Sequence, residues 1–358
     1  MDSLRAALAD VVGERFVTVD ADVLAARATD HTGRYSGRAS ALVRPADAAE
    51  VSAVLGICRR AGVKVTVQGG RTGLEAGTVP EHDDVLLSTE RLTAVGAVDR
   101  ENLRVTVGAG VTLSTLRNAA ADAGLLFGVD IASRDSATIG GMVSTNAGGL
   151  HTVRYGHMSA QVLGLEVVLP DGAIVRRSMR VGAGRRDLTD ELAGALEQCD
   201  PDDEPAVGID PAGRARVWAA REAFAEVVGL FGPPLKFDAA LPLDTLAAFV
   251  ADAVALVTGR APDAVPVLFG HVADGNVHLN VLRCPDESVL YRPVTELIRD
   301  HGGNIASEHG VGAHKRNYLD LALGHEDITA MWAIKQAFDP ADYLNPAVMF
   351  PDWLRRPH

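Results

Sequence analysis

Val67-Gln68-Gly69-Gly70-Arg71-Thr72-Gly73-Leu74-Glu75-Ala76-Gly77-Thr78 is the stretch whose reading decides the fold. It follows a short apolar run, Val63 to Val67, and carries four glycines within residues 69–77. Without a Cβ, glycine lets the backbone come close to a ligand. Successive free N–H groups then form a concavity suited to a phosphate or pyrophosphate. No Gly-Lys-Ser/Thr follows, and the spacing is not G-x-G-x-x-G, so neither a Walker loop nor a Rossmann fingerprint is present. On composition alone the stretch is either a phosphate cradle or a plain glycine-rich loop.

Working outward, residues 1–40 read as a helical lead-in, with Leu4, Leu8 and Val11 at helical spacing and a polar turn at Thr32-Gly33-Arg34. Ala41–Val43 reads as a strand, Asp47–Arg60 as an amphipathic helix capped by Asp47, and Val63–Val67 as the next strand. Such a βαβ unit delivers the glycine loop to a strand's C-terminal end, where α/β sheets bind ligands. Asp84–Ser88, Ala94–Asp99 and Leu103–Val107 read as short strands, followed by a helix from Thr112 to Ala123. The stretch from Gly128 to Gly149 is rich in small and hydroxyl residues. It either packs its backbone against something flat or is an ordinary loop. Val162–Leu169 and Ala173–Arg177 read as strands joined at Asp171-Gly172.

The character changes between Arg180 and Ala212, where Gly182-Ala183-Gly184 and Cys199-Asp200-Pro201-Asp202-Asp203-Glu204-Pro205 suggest a junction around one helix, Thr189–Gln198. Helices are expected at Ala215–Val228, Leu243–Val257, Ser288–Asp300 and Ile328–Phe338, with strands at Ala264–Phe269 and Asn276–Leu282. The division is therefore 1–178, a junction over 179–212, and 213–358.

At 358 residues the chain holds enough material for two domains. Apolar residues make up 47% and charged residues 23%, as in globular proteins. A net charge of −13 argues against nucleic acid as a partner, because no basic excess neutralises phosphates. Cys58, Cys199 and Cys284 are too dispersed for a disulfide framework or a thiolate metal cluster. No secretory signal is read at Met1-Asp2-Ser3-Leu4-Arg5-Ala6, and no apolar run reaches the ~18 residues of a membrane span. The expectation is a cytoplasmic protein, with peripheral membrane contact left open.

Phe269-Gly270-His271-Val272-Ala273-Asp274-Gly275-Asn276-Val277-His278-Leu279-Asn280 is the second informative pattern. Asp-Gly between two apolar runs predicts a two-residue hairpin turn. His271 would then pair directly with His278, with Asn280 on the same face. Two imidazoles so placed either close on one metal or merely share a hydrogen bond. Zinc commonly adds a carboxylate, and Glu308 in Ser307-Glu308-His309-Gly310 is the candidate, with His309 a candidate general base. Arg221 and Lys236 lie on or just after a helix and either solvate its face or meet a ligand.

Together these residues resemble the FAD-linked dehydrogenases of D-2-hydroxy acids, including glycolate oxidase FAD subunits, D-lactate dehydrogenases and D-2-hydroxyglutarate dehydrogenases. The resemblance rests on Gln68-Gly69-Gly70-Arg71-Thr72-Gly73-Leu74, Ile139-Gly140-Gly141, Asn146-Ala147-Gly148-Gly149 and Arg154-Tyr155-Gly156. Farther on it rests on Gly270-His271 through Asn280, Glu308-His309-Gly310-Val311-Gly312, Asp339-Pro340 and Leu344-Asn345-Pro346. It implies an α+β, two-domain flavoprotein of the vanillyl-alcohol-oxidase (PCMH) type, with an N-terminal FAD-binding domain and a C-terminal substrate domain of antiparallel sheet plus helices. By the same resemblance Gln68, Gly69, Gly70, Arg71, Thr72, Gly73 and Leu74 wrap the FAD pyrophosphate. Asp130, Ser136, Thr138, Gly140, Gly141, Asn146, Gly148 and Gly149 would line the cofactor, which Asn345 approaches from the substrate domain. His271, His278 and Glu308 correspond to ligands of a divalent metal, commonly zinc; Arg221, Lys236, Asn280 and His309 correspond to substrate-binding residues, with His309 the base. The implied reaction oxidises a small 2-hydroxy acid. The electron acceptor is left open between a quinone, a cytochrome, an electron-transfer flavoprotein and a dye in vitro. A homodimer is the oligomeric expectation.

The chain departs from that family in one respect. The Gly-Tyr-Asp-Leu stretch and the Gly-Ser-Glu-Gly-Thr-Leu-Gly motif expected after the second Asp-Gly turn are missing. Arg177 runs almost directly into Asp187-Leu188-Thr189-Asp190-Glu191-Leu192, which resembles the interior of the substrate domain. Such a deletion leaves both domains incomplete, exposing sheet edges and part of the adenine-side wall. Ala225 also stands where a hydroxyl residue is expected one turn after Arg221. The competing readings are a non-catalytic remnant or partner-binding subunit of the same fold, and a flavin-free metal hydrolase using His271, His278 and Glu308.

Overall fold

The computed structural model describes residues 2–178, 212–213, 216, 218–219, 223, 228–284 and 286–355. The lead-in is a helix α1 (Asp2–Val12), a short strand β1 (Val17–Thr18) and a second helix α2 (Ala21–Ala28), rather than helix alone. Asp20 caps α2 by accepting from the N–H groups of Asp22 and Val23. Strand β2 (Ala39–Val43), helix α3 (Ala48–Arg60) and strand β3 (Val65–Gln68) form the expected βαβ unit, with Asp47 capping α3. The two strands are not neighbours, however. β4 (Asp84–Ser88) inserts between them, giving the order β1-β2-β4-β3 with β4 parallel to both partners. All five residues of β4 are buried, as a central parallel strand requires. Leu8, Val43, Val54, Cys58, Val65 and Val85 form the core between this sheet and helices α1 and α3.

Helix α4 (Leu113–Asp122), the short α5 (Ile139–Thr145) and α6 (Thr152–Tyr155) follow, with Leu113, Leu116, Ile139 and Met142 in a second core. The strands expected at Ala94–Asp99 and Leu103–Val107 do not form; only two isolated bridges, Val95 with Val107 and Asp99 with Arg104, join these segments. Strands β5 (Gly164–Val168) and β6 (Ile174–Ser178) pair only with each other among the described residues. Leu165 and Val167 on this ribbon are 44% and 42% exposed. An uncovered two-stranded ribbon is the consequence expected of a missing internal segment.

The junction, including the helix expected at Thr189–Gln198, lies almost wholly outside the described residues. Of Ala215–Val228, residues 216, 218, 219, 223 and 228 are described and are helical. The second half of the chain then carries β7 (Leu235–Ala240), a strand the sequence reading missed, helix α7 (Leu246–Arg260), β8 (Val265–Phe269), β9 (Asn276–Leu282), α8 (Tyr291–Asp300) and α9 (His325–Phe338). The sheet order is β7-β9-β8, antiparallel throughout. Strand periodicity divides it cleanly. Leu235, Phe237, Ala239, Leu279 and Val281 pack on Phe249, Ala253, Val294 and Ile298 of α7 and α8. Lys236, Asp238, His278 and Asn280 therefore take the opposite face.

After α9 the chain returns to the first domain. Leu344 bridges Val65 in parallel, the Val65 N–H donates to Tyr343 O at 3.1 Å, and the Tyr343 hydroxyl donates to Leu55 O at 2.8 Å. This tail brings Asn345 to the glycine loop.

Candidate active site

The face of the second sheet opposite α7 and α8 carries the chemistry. Lys236 pairs in register with Asn280, and Asp238 with His278. Lys236 therefore sits on a strand, not at a helix, which corrects the sequence reading. Asp238 is the residue that reading missed. It is 1% exposed and accepts hydrogen bonds from Glu308 N (2.6 Å), His309 N (2.8 Å) and Asn276 Nδ2 (2.9 Å), with His278 Nδ1 at 3.2 Å. Burial alone would raise its pKa, but the electrostatic pull of the His309 ring beside it and the hydrogen bond from His278 hold it far below the usual carboxylate range. One carboxylate thus fixes the backbone of 308–309 and the ring of His278.

His271, His278 and Glu308 converge, offering three ligand atoms within 4.8 Å of one another. His271 Nδ1 lies 3.2 Å from Glu308 Oε1, and His278 Nε2 lies 3.6 Å from Glu308 Oε2. The hairpin register differs from the expected one. Phe269, not His271, pairs with His278, and residues 270–275 connect the strands, with a 3-10 turn at Val272–Asp274 and then Gly275 in the left-handed region. Because side chains alternate with period two, a two-residue shift leaves His271 on the same face. The rings still meet, with centroids 6.1 Å apart. Burial raises the Glu308 pKa, but the His271 hydrogen bond and the two imidazoles outweigh it, so the carboxylate is favoured. Two imidazoles and a carboxylate on a buried wall are a donor set that fits zinc with an open position. Asp238, His278 and His309 form a second, overlapping group with the same spacing.

His309 stacks on His278 with an interplanar angle of 8°. Its pKa is lowered by burial, against the opposing pull of Asp238, so neutral imidazole is favoured. The Lys236 pKa is lowered by burial and then by Arg34. Among the described residues no carboxylate lies within ion-pair distance of its ammonium. Arg221 and the neighbouring Ala225 lie outside the described residues.

One cleft of about 3540 Å³ joins this face to the glycine loop, lined by residues 69–75 and 137–149, Lys236, Asn280, His309 and Asn345. That exceeds the ~300–1,000 Å³ of ordinary small-molecule pockets, and the exposed β5–β6 ribbon forms part of its wall. The glycine loop is packed on the second small-residue stretch: a Cβ on Gly70 would sit 1.9 Å from Ser136 O, and the Gly70 N–H donates to Thr138 Oγ1 at 3.2 Å. Beyond Gly73, in contrast, the space is open.

Several side chains expected at the cofactor also hold the loops, and of these Arg71 and Asn146 line the cleft. Gln68 Nε2 donates to Arg27 O and Thr78 O, and Arg71 Nη1 to Ala26 O. Asp130 is held by Arg117 and Arg134, and Asn146 Oδ1 accepts from Ser159 N. Asn345 Oδ1 accepts from Val67 N at 3.2 Å, at the mouth of the loop. Thr72, Leu74, Gly140, Gly141, Gly148 and Gly149 line the cleft directly. The open backbone at Gly73 beside a long, largely apolar wall fits a dinucleotide.

Residues 39–178 match the FAD binding domain family, and residues 182–349 match the C-terminal domain of FAD linked oxidases. The D-2-hydroxyglutarate dehydrogenase of Xanthomonas citri pv. viticola is 28% identical, over 90% of this chain and 91% of that protein. That match runs over 435 positions against 358 residues here, so at least 77 positions hold no residue of this chain. A putative mitochondrial D-lactate dehydrogenase of Schizosaccharomyces pombe is 24% identical, over 88% and 83%. Among solved structures, p-cresol methylhydroxylase with substrate bound superposes with a TM-score of 0.69 at 13% identity, covering 100% of this chain and 98% of that one, so the two-domain α+β flavoprotein fold is shared. Among the described residues no helix is long and apolar enough to cross a membrane. The chain thus joins an FAD binding domain to the C-terminal domain of FAD linked oxidases, and along nearly its whole length it is similar to proteins named as D-2-hydroxyglutarate and D-lactate dehydrogenases.

Proposed function

We propose that the protein oxidises a small D-2-hydroxy acid, of the 2-hydroxyglutarate, lactate or glycolate class, to the 2-oxo acid with FAD as cofactor. One observation carries the reading: on a single sheet face, a half-buried ammonium (Lys236) lacks an anionic partner among the described residues, within the cleft lined by His271, His278, Glu308 and His309. A half-buried cation in an acidic protein calls for an anion, and a substrate carboxylate supplies it. Lys236 binds that carboxylate, with Arg221 as the second cation. Asn280, buried beside Lys236, offers its amide to the substrate's oxygens. His309, kept neutral by burial, takes the proton of the C2 hydroxyl on its ring nitrogen. Asp238 holds the backbone of Glu308 and His309 so that base and donor set keep one geometry.

His271, His278 and Glu308 would hold a divalent metal, zinc by the donor set, supplying Lewis acidity at the substrate oxygen. FAD, when bound along residues 69–74 and 136–149, supplies the hydride acceptor.

The test is reconstitution. Purified protein given FAD should bind it, and anaerobic D-2-hydroxyglutarate, D-lactate or glycolate should bleach the flavin and reduce an added dye. Protein that stays colourless after FAD is added would favour the non-catalytic remnant. Metal-dependent hydrolysis without flavin would favour the hydrolase.

A further inference from the structure

Glu75 is a buried carboxylate that the glycine loop sends across the domain junction. It is 4% exposed, and none of the roles assigned above uses it. Its Oε1 lies 3.0 Å from Lys315 Nζ, itself 2% exposed, and its Oε2 lies 3.1 Å from His314 Nδ1. Its backbone oxygen accepts from Ala313 N (2.9 Å) and His314 N (3.2 Å). The contact is intimate: a Cβ on Gly312 would lie 1.9 Å from Glu75 O. Burial works against the Glu75 charge, and Lys315 followed by His314 more than compensates.

The same carboxylate reaches His309. Glu75 Oε1 stands 3.8 Å and Asp238 Oδ2 3.9 Å from His309 Nδ1. Neither carboxylate is close enough to accept a hydrogen bond from the ring, but two negative charges along one edge of the imidazole favour an N–H on that edge and leave Nε2 as the lone-pair nitrogen. Stacking on His278 restricts the ring otherwise, and the backbone N–H of His309, which donates to Asp238 Oδ2, fixes the residue that carries it.

We propose that Glu75 is a positioning residue, which clamps the cofactor loop to residues 312–315 and fixes the orientation of the His309 ring. The inference rests on the reading of His309 as the proton acceptor. A buried ion pair is seldom worth more to stability than an apolar pair of the same volume. The alternative role for Glu75 is therefore narrow: neutralising Lys315 and nothing more.

Three variants of the FAD-loaded enzyme separate the two: Glu75→Gln, Glu75→Asp, and Glu75→Gln combined with Lys315→Met. The double variant removes both buried charges, so it remains informative where the single one fails to fold. With the hydroxy acid that the enzyme turns over, Glu75→Gln should lower kcat about tenfold or more, the scale set by groups that orient a site's imidazoles, with KM changed less than about twofold. Glu75→Asp should recover part of kcat. The double variant should regain the parental Tm but not the parental kcat. Parental kcat in the double variant, or in Glu75→Gln alone, overturns the inference. His309→Asn, made in parallel, tests the underlying reading: undiminished turnover there removes the base itself. A His309→Asn defect beside a fully active double variant removes only the role given to Glu75.

Discussion

Gly148 of the first domain faces Glu308 of the second so closely that a Cβ at 148 would lie 2.9 Å from Glu308 Oε1. The same atom would meet Thr152 Oγ1 at 2.7 Å and His157 Cδ2 at 3.0 Å. Glu308 is largely buried and bonded to His271, so it has little room to yield. Gly148→Ala should push the carboxylate off His271 and His278. Metal content, read by elemental analysis, should fall, and dye-linked turnover should drop roughly ten- to a hundredfold. Full metal loading with parental turnover would show that the contact is slack.

Asp238→Asn keeps the shape and reverses half the chemistry. One oxygen can still accept from the N–H groups of Glu308 and His309. The new amide nitrogen then faces Asn276 Nδ2, itself a donor, and His278 Nδ1. Placing donor against donor in a site 1% exposed, and removing a buried charge from its partners, should cost about 3 kcal/mol. A shifted urea midpoint at constant slope, with loss of turnover, is expected. An unmoved midpoint would mean that the four contacts to Asp238 contribute little.

What was legible in the sequence follows from how local each signal is. The glycine loop could be read because close backbone approach demands glycine where it occurs, as at Gly70 against Ser136. The metal-type face could be read because period two survives a register error, although Asp274-Gly275 ends a six-residue connection rather than forming the two-residue turn it suggests. Asp238 was missed because the alternation Leu235-Lys236-Phe237-Asp238 is brief and runs out into two alanines. Reading that alternation as a strand would have put Lys236 and Asp238 on one face. The Glu75–Lys315 pair spans the two domains, and no local pattern encodes such a contact. The strands expected at 94–107 reduce to two isolated bridges between the two segments, because strand propensity is decided by packing context rather than by local sequence.

The β5–β6 ribbon presents Leu165 and Val167 to solvent, next to Val175 on the same face of the pair. An exposed apolar ribbon whose strands pair only with each other among the described residues is a site for edge-to-edge association. Leu165→Thr with Val167→Thr keeps β-forming residues while removing the apolar surface. Static light scattering on concentrated protein should show less aggregate, with little change in Tm. Unchanged aggregation would place the sticky surface elsewhere, for instance at Ile334 and Phe338 of α9, which are 63% and 60% exposed.

Acid should undo the docking of the C-terminal tail before it unfolds the sheets. Asp339 is buried and accepts from Lys335 Nζ, Tyr343 N and Leu344 N, each at 2.8 Å. Burial would raise its pKa, but Lys335 and these N–H groups bring it below the ordinary carboxylate value. The folded pKa is thus lower than the unfolded one, near roughly 3.9. The stabilisation is present in full above the unfolded value and is lost as pH falls through the folded one. Tm should therefore decline steeply below about pH 4, and Asp339→Asn should both lower Tm at neutral pH and flatten that acid limb. Because Tyr343 to Asn345 lie against Val65 and Val67 at the root of the glycine loop, FAD affinity should weaken in the same variant. Superimposable acid limbs for the two proteins would assign the pH dependence to other carboxylates. A destabilised variant with parental FAD affinity would mean that the tail secures the sheet without shaping the loop.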